Sequence, residues 1–167
     1  MSNMDFIIEP LGKHHDRQSF SCGEAELDSY LKEYASQDAK RRTARVFVAT
    51  IANQVIGFYT LSALSVSRDV MPPANAKRLP KYPVPAVLLG RLAVDSAFQG
   101  KGIAAMLMVN AMKRVVLASN EVAMYALFVD AKHEQAKGFY LKYGFVALQE
   151  HPMRLFLAME TIAKIIQ

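Results

Sequence analysis

Apolar and polar positions recur along this chain with two different periods, and the periods divide it into elements. Residues 24–41 carry Leu27, Tyr30, Leu31, Tyr34 and Ala35 at the i, i+3, i+4, i+7, i+8 spacing of a helix turning one face to a core. Gly23 or Ser21 is placed to begin it, and Glu24 and Glu26 suit the positive end of its dipole. A second helix is predicted over residues 102–119, with Ile103, Met106, Leu107, Ala111, Val115 and Ala118 on one face. A third, over 133–143, ends at Gly144, whose place suits a helix C-cap. Runs rich in β-branched and aromatic residues occupy 45–52 and 55–65, and the break Asn53-Gln54 between them reads as a hairpin turn. Further strands are predicted at 6–8, in the apolar run from Leu88 to Val94, and at 122–130, 145–148 and 154–159. Residues 69–85 are dense in proline, which fits neither a helix interior nor a central strand, so they read as a loop. This succession is that of a mixed α/β fold. At 167 residues the chain holds one domain, 1–167, with room for a substantial core.

The stretch 88–108 organises the rest. It opens as a strand, closes as a helix, and places Gln99-Gly100-Lys101-Gly102 between them. Unpaired N–H groups at a helix N-terminus, backed by the helix dipole, form a site for phosphate oxygens, and glycines let a ligand approach the backbone. Two familiar phosphate loops do not fit. A P-loop requires Ser or Thr after Gly-Lys and a Gly five positions earlier, where this chain has Gly102 and Asp95. The dinucleotide fingerprint is met formally by Gly100, Gly102 and Ala105, with Glu121 as the acidic residue. Five residues, Asp95 to Gln99, nevertheless intervene after the strand, and Glu121 precedes the next strand.

Gln99, Gly102 and Ala104 satisfy the pattern Gln/Arg-x-x-Gly-x-Gly/Ala. With Arg91-Leu92-Ala93-Val94 before it and the run 139–145, Phe-Tyr-Leu-Lys-Tyr-Gly-Phe, after it, the chain resembles the GCN5-related N-acetyltransferases (GNAT). Segments around 20–23, 27–31, 37–38, 57–62 and 154–157 are similar to the acetyltransferase toxins of toxin–antitoxin systems. The resemblance implies the GNAT fold, a single mixed central sheet whose central strands splay apart, flanked by helices. It implies acetyl transfer from acetyl-CoA to the α-amino group of an aminoacyl-tRNA, which blocks translation. Backbone groups of Leu92, Ala93 and Val94 would then hold pantetheine, one N–H facing the thioester carbonyl. Gln99, Gly100, Lys101, Gly102, Ile103 and Ala104 would hold the pyrophosphate. Tyr140 falls on the position of the general acid, with Tyr143 as its neighbour. A phenol with a pKa of about 10 is protonated at neutral pH and able to donate. His133 stands where the wider family often has Asn; it could meet the cofactor or cap the helix. A small ribbon-helix-helix antitoxin and a possible homodimer are the partners the resemblance implies.

Charge changes the picture in one respect. The net charge of +5 is compatible with a polyanionic partner, and basic residues cluster at 40–45 and 77–81. Arg78 and Arg91 are the leading candidates to contact tRNA. A single cysteine, Cys22, excludes an internal disulfide, and with no His near it in sequence it is not expected to be a nucleophile. Four scattered histidines suggest no metal site. No apolar run approaches the roughly 20 residues of a membrane span, and the first six residues lack a basic, apolar leader, so a cytoplasmic location is expected. An α-amine, with a pKa near 8, needs no strong base, and the residues assign none. An acetyltransferase of small amines or protein N-termini, and a non-catalytic module binding coenzyme A or a partner, are the alternative readings.

Overall fold

The computed structural model describes residues 5–166; the leader reading over the first six residues therefore falls mostly outside the described residues. Seven strands form a sheet in the order β1-β2-β3-β4-β5-β7-β6. They are β1 (Ile7–Pro10), β2 (Arg45–Ile51), β3 (Gln54–Val66), β4 (Val84–Val94), β5 (Ala126–Asp130), β6 (Val146–Ala147) and β7 (Arg154–Ala158). The β4–β5 pair is parallel, and the pairs β1–β2, β2–β3, β5–β7 and β6–β7 are antiparallel. Helices are α1 (Ala25–Ser29), α2 (Ala35–Arg41), α3 (Pro73–Ala76), α4 (Ile103–Ser119), α5 (Glu134–Lys142) and α6 (Met159–Ile165). The mixed α/β expectation is met. Among the described residues, no helix is long and apolar enough to cross a membrane.

Contacts divide the chain into two compact units, each discontinuous in sequence. The first comprises Met1–Ser62 and Gly90–Ala111. Its core joins Phe20, Leu27, Tyr30, Leu31 and Ala35 to Val46, Val48, Val55, Phe58 and Ala93. Burying each large side chain here contributes about 1.5–3 kcal/mol. The predicted first helix is two helices joined by a π-helical turn, Tyr30–Tyr34, in which the Ala35 N–H reaches back five residues to the Tyr30 carbonyl. The wider turn carries one residue more than an α-turn, so the apolar stripe passes from Tyr30 and Leu31 directly to Ala35. Tyr34, expected in that stripe, is 54% exposed. Arg17 Nη1 donates to the Leu31 carbonyl at 2.9 Å, supporting the widened turn from outside. The helix begins at Glu24 with no side-chain cap; Gly23, at φ +95°, turns the chain into it.

The hairpin turn is Ala52-Asn53, one residue earlier than expected, because Ile51 pairs with Gln54. Both turn residues have positive φ, 48° and 68°, the conformation whose twist matches two-residue hairpins. Gly57 of β3 lies where a Cβ would sit 3.0 Å from Leu107 Cδ1 and 3.1 Å from the Ala93 carbonyl oxygen.

The second unit comprises Ala63–Leu89 and Met112–Gln167, with a core of Val66, Met71, Ala86, Ala126, Phe128, Leu148 and Phe156. The proline-rich segment is not wholly loop. Pro73 opens α3 at a position where its missing N–H costs nothing, and Pro85 falls inside β4, its carbonyl accepting from the Tyr125 N–H at 2.8 Å. The strand after α4 starts at Ala126 instead of Val122, which is 64% exposed. Helix α6, which period alone did not reveal, follows β7 directly and buries Met159 and Ile162.

Helix α4 buries Ile103, Leu107, Met108, Ala111, Met112 and Val115, an i, i+4, i+5, i+8, i+9, i+12 stripe. Met106 and Ala118, expected inside, are exposed, and Met108 and Met112 replace them. Hydrophobicity alone could not choose between two methionine-bearing faces.

The crowding at Gly57 sets a stability test. Gly57→Ala must displace Leu107 and press on a β4 carbonyl, so unfolding free energy is expected to fall by about 1–3 kcal/mol, read from urea denaturation midpoints. An unchanged midpoint would show that β4 yields freely.

Candidate active site

The passage from β4 into α4 is built around a buried carboxylate. Asp95 is 8% exposed, and its two oxygens accept from different donors. Oδ1 takes the Ala97 N–H at 2.9 Å and Oδ2 the Ser21 N–H at 3.0 Å. The first bond caps a 3-10 turn, Ser96–Phe98; the second ties it to the segment entering α1. The Gln99 side-chain amide then donates to the Val94 carbonyl at 2.9 Å and the Cys22 carbonyl at 3.0 Å. Gln99 thus braces the loop through its side chain, a duty the motif did not reveal.

Beyond Gln99 the backbone is left-handed at Gly100 (φ +78°) and Gly102 (φ +82°), with open space beside each glycine. Residues with a Cβ rarely adopt this conformation, so both glycines are required by the turn. Exposed Lys101 stands between them, its ammonium 6.0 Å from the Phe98 ring centroid. Helix α4 starts immediately after, and the first N–H groups of a helix have no partner within it. Ile103 and Ala104 supply such groups. Open glycines, a lysine and a helix N-terminus meet at one point.

The β4–β5 ladder runs from Ala86–Ala126 to Leu89–Val129, whereas β4 continues to Val94. Asp95 donates its N–H to the Ile56 carbonyl at 2.8 Å, so the backbone of Asp95 faces β3. Alternation turns Ala93 the same way and points the backbone groups of Leu92 and Val94 away from β3. Of the three residues expected to hold pantetheine, Leu92 and Val94 present that edge, and Ala93 sits between them as a partner of β3.

In the second unit, α5 sets the position of Tyr140. His133 caps its N-terminus, Nδ1 accepting the Ala136 N–H at 3.1 Å, which favours the tautomer protonated at Nε2. Gly144, at φ +93°, ends it in a Schellman arrangement. The Phe145 N–H bonds the Tyr140 carbonyl at 3.2 Å and the Gly144 N–H that of Leu141 at 3.0 Å. The apolar contact that accompanies this motif is the Tyr140–Phe145 ring pair, with centroids 5.6 Å apart. Phe139 adds a second edge contact at 5.4 Å. Tyr140 is 7% exposed, and burial, with the charge of Asp130 adding to it, pushes its phenol up to about 12. It is therefore protonated throughout the neutral range. Tyr143, its rival, is only half-buried.

Three further expectations meet the structure. The Cys22 thiol is pushed up to about 11, chiefly by burial and further by Asp28, so it is not a ready thiolate. Arg78 is exposed on the rim of an open cleft of ≈ 560 Å³ with Asn75, Tyr125 and Lys164, whereas Arg91 lies over the Tyr30 ring, 3.5 Å from its centroid. Glu9, His14 and His15, scattered in the no-metal reading, converge. Buried His15 accepts the Gly12 N–H at Nδ1 (2.9 Å), which places its proton on Nε2, 2.8 Å from Glu9 Oε1. Hydrogen bonding thus engages both ring nitrogens, and the convergence is accounted for without an ion.

A family model described as Acetyltransferase (GNAT) domain matches residues 42–147. A tRNA-acetylating toxin of Mycobacterium tuberculosis is 37% identical over 145 residues, 87% of each chain. A solved structure of AtaT complexed with acetyl-methionyl-tRNAfMet is 34% identical, covers 98% of this chain and 100% of its own, and superposes with a TM-score of 0.90. An AtaT variant bound to the C-terminus of the antitoxin AtaR and acetyl-CoA is 32% identical, covers 97% and 98%, and has a TM-score of 0.83. The strand–loop–helix passage and the matching family model agree: this chain belongs to the GNAT acetyltransferase family.

Proposed function

We propose that the whole chain, 1–167, works as one acetyltransferase domain and is the toxin of a toxin–antitoxin pair. It moves the acetyl group of acetyl-CoA to the α-amino group of an aminoacyl-tRNA. The observation that carries this reading is the left-handed Gly100–Gly102 turn opening onto the N-terminus of α4, a cradle for a pyrophosphate. The toxin relative that acetylates tRNA, and AtaT with its acetylated aminoacyl-tRNA, support the choice of acceptor. Capping the α-amine stops the aminoacyl group from forming a peptide bond. Such a substrate places the protein in the cytoplasm. AtaT bound to its antitoxin supports a cognate antitoxin here, which the family resemblance makes a ribbon-helix-helix protein; a homodimer is part of the same proposal.

Acetyl-CoA supplies a thioester, an acyl group activated toward amines. Gly100, Lys101, Gly102, Ile103 and Ala104 hold its phosphates through backbone N–H groups and the lysine charge, on a loop that Gln99 braces. The backbone of Leu92 and Val94 binds its pantetheine arm as an added strand, with Ala93 keeping that segment paired to β3. An N–H of this segment stabilises the negative charge that develops on the acetyl oxygen as the amine nitrogen attacks the carbonyl carbon. The new C–N bond forms and the C–S bond breaks. Tyr140 gives its proton to the departing sulfur, the amine loses one to water, and solvent reprotonates the phenol. Arg78 and Arg91 are the side chains we assign to the tRNA phosphates.

Labelled acetyl transfer onto a pool of charged tRNAs tests the reading, with free amines and peptide N-termini as competing acceptors. Wild type is expected to label the aminoacyl group; labelling of the competitors alone would move the protein to another acceptor class. Tyr140→Phe is expected to lower kcat about 100-fold or more with acetyl-CoA affinity held within about twofold. Equal activity of the two proteins would remove Tyr140 from the chemistry. The pH profile has a predicted shape. Rate should rise as the α-amine loses its proton near pH 8 and then stay level to about pH 10, because the phenol stays protonated until about 12. A fall between pH 8 and 9 would point to a different acid.

A further inference from the structure

Arg91 is held in an unusual way. It projects from β4, in the segment that continues past the β5 ladder, and its guanidinium carbon lies 3.5 Å from the Tyr30 ring centroid. At that separation the guanidinium plane is in van der Waals contact with the ring face, a cation–π stack. Tyr30 also stacks on Phe58, with centroids 6.2 Å apart and planes 14° from parallel. The Tyr30 hydroxyl donates to Asp38 Oδ2 at 2.7 Å, and Thr43 Oγ1 donates to Asp38 Oδ1 at 3.1 Å. The Asp38 carbonyl in turn accepts the Thr43 N–H at 3.0 Å where α2 ends. Tyr30 is 6% exposed and is the first residue of the π-helical turn. The ring is therefore fixed at its rim and on its Phe58 side, and it can serve as a platform.

What the platform carries is incomplete by itself. Among the described residues, neither an ion pair nor a hydrogen bond engages the Arg91 guanidinium; its contact is with the ring. An arginine committed to structure commonly meets a carboxylate or backbone carbonyls, as Arg154 and Arg17 do here. Arg91 instead has its face against an aromatic ring and is partly exposed, which leaves its N–H edge open to a further partner. A planar fork of donors matches two oxygens of a phosphate, and stacking removes the rotational freedom that an unrestrained arginine would lose on binding. The Asp38 carboxylate, which could otherwise compete for the guanidinium, is engaged by Tyr30 and Thr43. Mid-helix π-turns recur at functional sites, and this one presents the ring.

We propose that Tyr30 is a positioning residue that holds the Arg91 guanidinium flat against its ring as a clamp for a substrate phosphate, the acceptor tRNA backbone being the expected source. The inference rests on the acceptor reading above and adds to it the device that orients Arg91. The chemistry would serve a phosphate of acetyl-CoA equally well, so the test separates the two sources.

Binding is measured without turnover, so that loss of the clamp is distinguishable from loss of the acetylation reading. Deacylated tRNA is titrated by fluorescence anisotropy between 50 and 200 mM salt, settings chosen for the roughly linear log–log salt dependence of phosphate contacts. Acetyl-CoA is titrated by calorimetry on the same preparations. Tyr30→Phe keeps the ring but releases Asp38, so it is expected to bind tRNA more weakly than wild type yet more tightly than Tyr30→Leu. Tyr30→Leu removes the ring and should weaken tRNA binding about five- to twentyfold. Arg91→Gln should weaken binding similarly and lower the salt slope by about one. Adding Tyr30→Leu to Arg91→Gln should cost nothing more, the non-additivity expected when one residue acts through another. A loss confined to acetyl-CoA would uphold the clamp and assign its phosphate to the donor. Additive losses, or unchanged binding of both ligands in Arg91→Gln, would overturn the proposal. Should Tyr30→Leu fail to fold, Arg91→Lys decides, since it keeps the charge but cannot lie flat as a fork. Binding equal to wild type in Arg91→Lys would likewise overturn the proposal.

Discussion

A buried carboxylate holds the loop between β4 and α4 in shape. Asp95 replaces its water shell with backbone N–H groups from Ser21 and Ala97, and its own N–H goes to Ile56. Hydrogen bonds to a charged group contribute about 1.5–3 kcal/mol each, and a buried charge without them would be strongly unfavourable. Those bonds stop β4 at a defined point, start the 3-10 turn and fasten it to the chain that enters α1. Gln99 repeats the arrangement one step later with two carbonyls. The glycine turn and the first N–H groups of α4 are consequently presented in one orientation. Preorganisation of this kind lowers the ordering cost of binding any ligand at this turn.

Tyr140 shows the same logic with different parts. A helix C-terminus leaves carbonyls without partners, and the left-handed Gly144 lets the chain fold back to satisfy two of them. The reversal brings Phe145 onto the Tyr140 ring, and burial by Phe145 and Phe139 raises the phenol. Capping geometry thereby widens the pH margin over which the phenol stays protonated. Asp130, which adds to the effect, is held in a two-point fork with Arg154 across the β5–β7 pair, at 2.7 and 2.8 Å.

Much of this was legible in the residues because it follows from local rules. Gly100 and Gly102 announce a backbone that needs positive φ, Gly144 announces a helix end, and the strand–loop–helix passage supports the GNAT resemblance. Period located α4 and α5 to within a residue or so at their ends. Local rules also misjudged particular faces. Met106 and Met108 are chemically identical, and only the direction of the core makes one exposed and the other buried. Tyr34 kept an ideal helical spacing, but the π-turn inserted a residue's worth of rotation before it.

What the sequence by itself determined was the set of backbone conformations that few residue types can adopt and the apolar periods that choose helix or strand. The tertiary structure alone decided the partners of polar side chains. Gln99 meets Cys22 across 77 positions and Ser21 meets Asp95 across 74, while His133 proves to be a cap and Arg91 a passenger on Tyr30. The physical reason is range. Steric limits on φ and ψ act within a residue or two and leave their mark in the order of amino acids. A hydrogen bond or a stacked ring instead requires two groups within a few ångströms, and folding alone brings distant positions that close.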